Sequence, residues 1–126
     1  LPTMSPKPTE AELNILRVLW SRGPSTVREI ADTLNRDREV GYTTVLKLMQ
    51  IMTEKGLLLR DESNRTHIYR PKFSEERTLQ QLMKDLLDRA FGGSAQKLVM
   101  QALSAKKTSR KELDEIQKLI DSMKGE

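Results

Sequence analysis

Thr43, Thr44, Lys47 and Gln50 are the residues of this chain whose types and spacing point to a chemistry, and that chemistry is recognition rather than catalysis. Glutamine can bond adenine bidentately, lysine can reach guanine or a phosphate, and threonine or leucine can touch a thymine methyl. To act together these side chains need a helix that turns them to one side. Val45, Leu48, Met49 and Met52, at i, i+3, i+4 and i+7, form a single apolar stripe at helical period. At about 100° per residue, the side away from that stripe holds Thr43, Leu46, Lys47, Gln50 and Glu54. Hydrogen-bonding side chains crowd its N-terminal half, the part of a recognition helix that usually meets base edges. Gly41 is an acceptable N-cap, and Gly56 stands where a left-handed residue closes a helix. The expected helix is 42–55. A plain surface helix would show the same periodicity, so its neighbours must decide.

Two β-prone runs follow, 57–60 and 66–70, separated by the turn formers of 61–65. They predict a hairpin over 57–70. Upstream, Thr9 and Glu12 have capping-box spacing, and so do Thr26 and Glu29. The first box opens a helix over 10–22, ended by Gly23-Pro24, with Trp20 as a core residue. The second opens a short amphipathic helix that ends near Asn35. Residues 36–40 are a charged connector. Three helices and a hairpin in about 65 residues is the order of a winged helix-turn-helix domain. The third helix is expected in the major groove and the hairpin, as the wing, on the flanking backbone. Arg65 at its tip would reach a phosphate or the minor groove, with Arg60 at its base and His67 in its second strand as further contacts.

Composition sets outer bounds. The chain has 126 residues, 37% hydrophobic and 32% charged, with a net charge of +4. This fits one domain with an appendage, mildly basic, as nucleic-acid binding permits. Residues 1–73 carry 12 Lys/Arg against 9 Asp/Glu, and residues 74–126 carry 10 against 9, so the basic excess lies mostly in the first part. No cysteine is present, which excludes disulfides, thiolate metal sites and a cysteine nucleophile. No run approaches a membrane span or a signal peptide, and the expected compartment is the cytoplasm. A Gly-rich phosphate loop, H-E-x-x-H and G-x-S-x-G are all absent. His67 is the single histidine. Nothing supports an enzyme, a metal site or a cofactor.

Residues 1–8, with three prolines, read as a flexible leader before a domain over 9–73. From Ser74 the pattern becomes wholly helical. Ser74, Ser94 and Ser109 are N-cap candidates, the last in a capping box with Glu112, and Gly92-Gly93 is a break. Three short amphipathic helices make a poor core of their own. Residues 74–126 are therefore expected to dimerise through their apolar stripes: Leu82, Leu86, Leu98, Val99, Ala102, Leu103, Ile116 and Leu119. A monomeric helical subdomain is the plainer alternative.

Taken in order, several segments resemble the BlaI/MecI/CopY family of bacterial transcriptional repressors. They are E-L-N-I-L-R-V-L-W at 12–20, Y-T-T-V-L-K-L-M at 42–49, E-K-G-L-L at 54–58, R-T-H-I-Y-R-P at 65–71, and F-G-G-S at 91–94 with Leu98-Val99. The resemblance implies a cytoplasmic homodimer that reads the two halves of a palindromic operator on double-stranded DNA. It adds Tyr42, at the start of the third helix, to the DNA-binding set. Copper-responsive members carry C-x-C motifs, and this chain has no cysteine. In the β-lactam type, a membrane sensor-protease cuts an Asn-Phe bond in the fifth helix. The matching residues at this possible regulatory cleavage site are Gln101-Ala102: the amide is kept one methylene longer and the aromatic ring is gone, which argues against that cleavage route here. The competing expectation is a winged helix that binds protein instead of DNA, which would present more apolar or acidic side chains on the third helix.

Overall fold

The computed structural model describes residues 6–37 and 39–125. Residues 1–5 of the expected leader and Arg38 of the connector lie outside the described residues. The elements are α1 (Glu10–Arg22), α2 (Val27–Leu34), α3 (Tyr42–Lys55), β1 (Leu58–Asp61), β2 (Ile68–Pro71), α4 (Glu75–Arg89), α5 (Ala95–Ala105) and α6 (Arg110–Lys124). The fold is mainly helical with one antiparallel hairpin, as the sequence predicts. No helix among the described residues is long and apolar enough to cross a membrane.

The caps form as their spacing requires. The Thr9 hydroxyl accepts from the Glu12 N–H at 3.2 Å, and the Glu12 carboxylate accepts from the Thr9 N–H at 2.9 Å. Thr26 and Glu29 repeat the box on α2. At α6 the reciprocal bond differs. The Ser109 hydroxyl accepts from the Glu112 N–H and donates to the Glu112 carboxylate, both at 3.1 Å. Gly56 closes α3 at φ 83°, ψ 21°, a left-handed conformation that glycine adopts without a Cβ clash.

The chain divides into two compact units, residues 1–83 and 84–126. In the first unit, α1, α2, α3 and the hairpin share one core. Ile15, Leu19, Ile30, Val45, Met49, Met52 and Leu58 are its largest fully buried apolar side chains. Its hairpin pairs Leu58 with Pro71 through to Asp61 with Ile68. Proline is tolerated in β2 because a two-stranded hairpin has only edge strands, where a missing N–H need not break the ladder. At the turn, Asp61 accepts from the Ser63 N–H at 2.9 Å and from its hydroxyl at 2.6 Å. These bonds hold the Asp61 carboxyl below its ordinary value.

Two long-range ties are absent from the sequence pattern. Buried Ser25, between α1 and α2, exchanges both backbone hydrogen bonds with Tyr69 of β2, at 3.0 and 2.8 Å, and so fastens the hairpin to the helices. Glu12, only 2% exposed, accepts from Lys55 Nζ at 2.7 Å, joining the start of α1 to the end of α3.

The sequence places a boundary at 73/74, whereas the division between units falls inside α4. The Trp20 indole donates to the Phe73 carbonyl at 3.2 Å, and Thr78 is buried, so this stretch belongs with the first unit.

The second unit contains the end of α4, α5 and α6, and none of its described residues is buried. Gly92 and Gly93, at φ 56° and 81°, turn the chain between α4 and α5. Leu98, Leu103 and Ile116 are half-buried; Leu86, Val99, Ala102 and Leu119 are exposed. Leu82, of the same expected set, is half-buried in the first unit.

Candidate nucleic-acid interface

Burial of Val45, Met49 and Met52 fixes the rotation of α3. That rotation leaves Thr43, Thr44, Lys47 and Gln50 exposed. Among the described residues, no side-chain hydrogen bond or ion pair holds any of these four, so their donors and acceptors are open to a ligand. Glu54 is exposed beside them, and Ile51 is 37% exposed. Leu46 departs from the expected outer face. It is half-buried and packs against the core, because its position on the wheel turns it toward the hairpin.

That turn creates an open cleft of ≈ 260 Å³ between the start of α2, the start of α3 and the hairpin. Its floor is apolar: Val27, Leu46 and Tyr69. Arg28 and Tyr42 line it from the two helices, and Arg65 and His67 from the hairpin, with Thr26 and Thr66 completing it. Among the described residues no carboxylate lines the cleft, so its local field is positive. The structure thus brings Tyr42, Leu46, Arg65 and His67 of the expected set together.

Arg28 is the residue that sequence reasoning missed. It lies in the first turn of α2, at a position inside the Thr26–Glu29 capping box whose side-chain type the box does not use. Its guanidinium sits over the Tyr42 ring, 4.2 Å from the centroid, a cation–π contact. Neither Arg28 nor Tyr42 signals the other in sequence, since the contact exists only once α2 and α3 cross.

Arg60 lies elsewhere, in a second cleft with Gln50, Thr53 and Glu54. It is already engaged. Its hydrogen bond with Tyr69, then the charge of Glu62 at 2.7 Å, hold it protonated beyond the ordinary arginine value. Compared with Arg28 and Arg65, it has less capacity left for an external anion.

Over 82 residues the chain is 34% identical to the transcriptional regulator BlaI of Mycobacterium tuberculosis, covering 64% of this chain but 59% of that regulator. Over 120 residues it is 21% identical to the penicillinase repressor of Bacillus licheniformis, covering 95% of this chain and 94% of that protein. A solved structure of the B. licheniformis BlaI monomer in complex with the blaP half-operator superposes with a TM-score of 0.52 at 22% identity. It covers 59% of this chain and 90% of the other, and it places the first unit in the winged-helix fold. Residues 8–122 match the penicillinase repressor family as a whole. This chain belongs to the penicillinase repressor family, a family of transcriptional repressors and not of enzymes.

Proposed function

We propose that this chain is a homodimeric, sequence-specific DNA-binding repressor. In this reading α3 enters the major groove and Thr43, Thr44, Lys47 and Gln50 read base edges. The hairpin lies on the flanking backbone, where Arg65 and His67 meet phosphate. The observation that carries the reading is the face of α3: four exposed polar side chains with no partners among the described residues, beside a cleft that holds two arginines and no carboxylate. The half-operator complex of the structurally similar BlaI supports DNA as the ligand.

Dimerisation is supported by the second unit. Leu86, Val99, Met100, Leu113, Leu119, Ile120 and Met123 are all at least 38% exposed there. Seven such side chains in a unit without a buried residue among those described are more than a free monomer ordinarily leaves in water. A second copy would cover them, and two-fold symmetry would then match a palindromic operator.

The test is a binding titration of the purified chain against the DNA upstream of its own gene, with a scrambled duplex as control and salt as a variable. Preference for the upstream duplex that survives a change in salt supports the reading. Equal binding to both duplexes removes sequence specificity, and no binding to either removes DNA.

A further inference from the structure

We infer that Arg28 clamps a DNA phosphate opposite Arg65, and that Tyr42 acts by holding Arg28 rather than by reading a base. The inference rests on the DNA-binding reading and specifies one contact within it.

The geometry gives each residue a different part. A guanidinium stacked on an aromatic ring uses its face and keeps its edge, where all five N–H donors lie. Arg28 Cζ lies over the Tyr42 ring, 4.2 Å from its centroid and close enough for such stacking; the side chain is exposed and has no hydrogen bond or ion pair of its own among the described residues. Arg65 likewise has none, and it lines the same cleft from the hairpin. Arg28 and Arg65 thus face one cleft with their donors unused, and an anion held between them would offset their like charges. The cleft supplies no carboxylate to do this. A phosphodiester does, since its oxygens match the fork of arginine donors. Tyr42 is 39% exposed, yet one face of its ring is covered by Arg28, so that face is closed to a base. The ring pre-orders a long side chain that would otherwise lose rotamer freedom on binding. This makes Tyr42 a positioning residue, with the phosphate contact made by Arg28.

The roles can be separated on a fluorescently labelled random-sequence duplex, because a phosphate contact needs no particular operator. Arg28→Ala should weaken binding about five- to tenfold near 0.1 M salt and flatten the log–log salt dependence by about 0.9. Tyr42→Leu should weaken binding by less and add little in the Arg28→Ala background. Tyr42→Phe, which keeps the ring, should bind better than Tyr42→Leu. Arg28→Lys, which keeps the charge but not the flat stack, should fall between wild type and Arg28→Ala. A far-ultraviolet dichroism spectrum and an unfolding midpoint for each variant show that the fold is retained. If wild type binds and Arg28→Ala keeps the full salt slope, the phosphate clamp is wrong and the DNA reading stands. Equal losses from Tyr42→Leu with and without Arg28 would show that Tyr42 touches DNA directly, which overturns its positioning role. If wild type does not bind the duplex at all, both readings fall.

Discussion

Gln50 and Thr44 offer the sharpest test of whether α3 reads sequence. Both are exposed, and neither contributes to the core. Replacing either by alanine should cost roughly 1–3 kcal/mol of operator binding for each base that is no longer read. Unfolding curves should match wild type, and random-sequence binding should change little. Operator affinity equal to wild type in both variants would show that another surface reads sequence. Gln101 and Ala102 pose a different question. Both are exposed on α5 in the single chain, and in the proposed dimer Ala102 would be covered by the second copy. A protease that selects asparagine before a large aromatic ring finds here a longer amide and a methyl group. Ala102 thereby removes much of the apolar area such a site would bury. We expect the intact chain to resist cleavage at Gln101–Ala102, with repression relieved by another cut or signal. Mass spectrometry of the protein recovered from cells treated with a cell-wall antibiotic checks this. Fragments ending at Gln101 would show that the substitution does not block the cut.

Between elements, the pair that sets α1 against α3 is Glu12 with Lys55. Burial works against the Glu12 charge, but the Lys55 hydrogen bond, the Thr9 N–H and the Lys55 charge outweigh it and lower its pKa below the ordinary 4.5. A carboxyl lowered on folding stabilises the folded state above its unfolded value, and this stabilisation is lost as pH falls through the folded value. Urea unfolding should therefore show wild type losing stability on acidification through pH 4.5, with Glu12→Gln losing less. At neutral pH, Lys55→Ala leaves a buried carboxylate short of one partner and should cost about 1–3 kcal/mol. The lower end is expected, because the Lys55 side chain is 34% exposed and water can replace part of the bond. Identical acid profiles for wild type and Glu12→Gln would mean that the pair carries no pH-linked stability.

For the whole molecule, the decisive question is what covers the apolar side chains of the second unit. Leu119 is 62% exposed in the single chain, so an aspartate there meets mostly water. In a dimer interface the same charge would be buried without a partner, at a cost of several kcal/mol. Leu119→Asp should therefore leave helix content nearly intact while shifting the dimer to monomer in sedimentation at micromolar concentration. Operator affinity should fall with it, since one subunit holds one half-site. A wild-type chain that sediments as a monomer under the same conditions would remove the dimer, and with it the reason for a palindromic operator.

Local pattern along the chain is enough to set its elements. Capping spacing at Thr9 and Thr26, the stripe of Val45, Met49 and Met52, and Gly56 at the end of α3 all act within one or two helical turns, where period and local hydrogen bonding are legible. The exposed face of α3 follows from the same period. What meets across elements depends instead on the folded chain. Glu12 and Lys55 lie 43 positions apart, and Trp20 and Phe73 lie 53 apart. Neither pair leaves a pattern in either segment. The Ser25–Tyr69 bridge consists of backbone bonds, for which side-chain type carries little signal. Leu46 shows the limit most clearly. Grouped by residue type with the outer face, it lies only about 60° round the helix from Met49, on the flank of the stripe, and the hairpin packs on that flank and half-buries it. A helical wheel records angle about one axis and nothing of what packs there. The cleft that joins Arg28, Tyr42, Arg65 and His67 exists only because α2, α3 and the hairpin converge, and that convergence is fixed by the shared core.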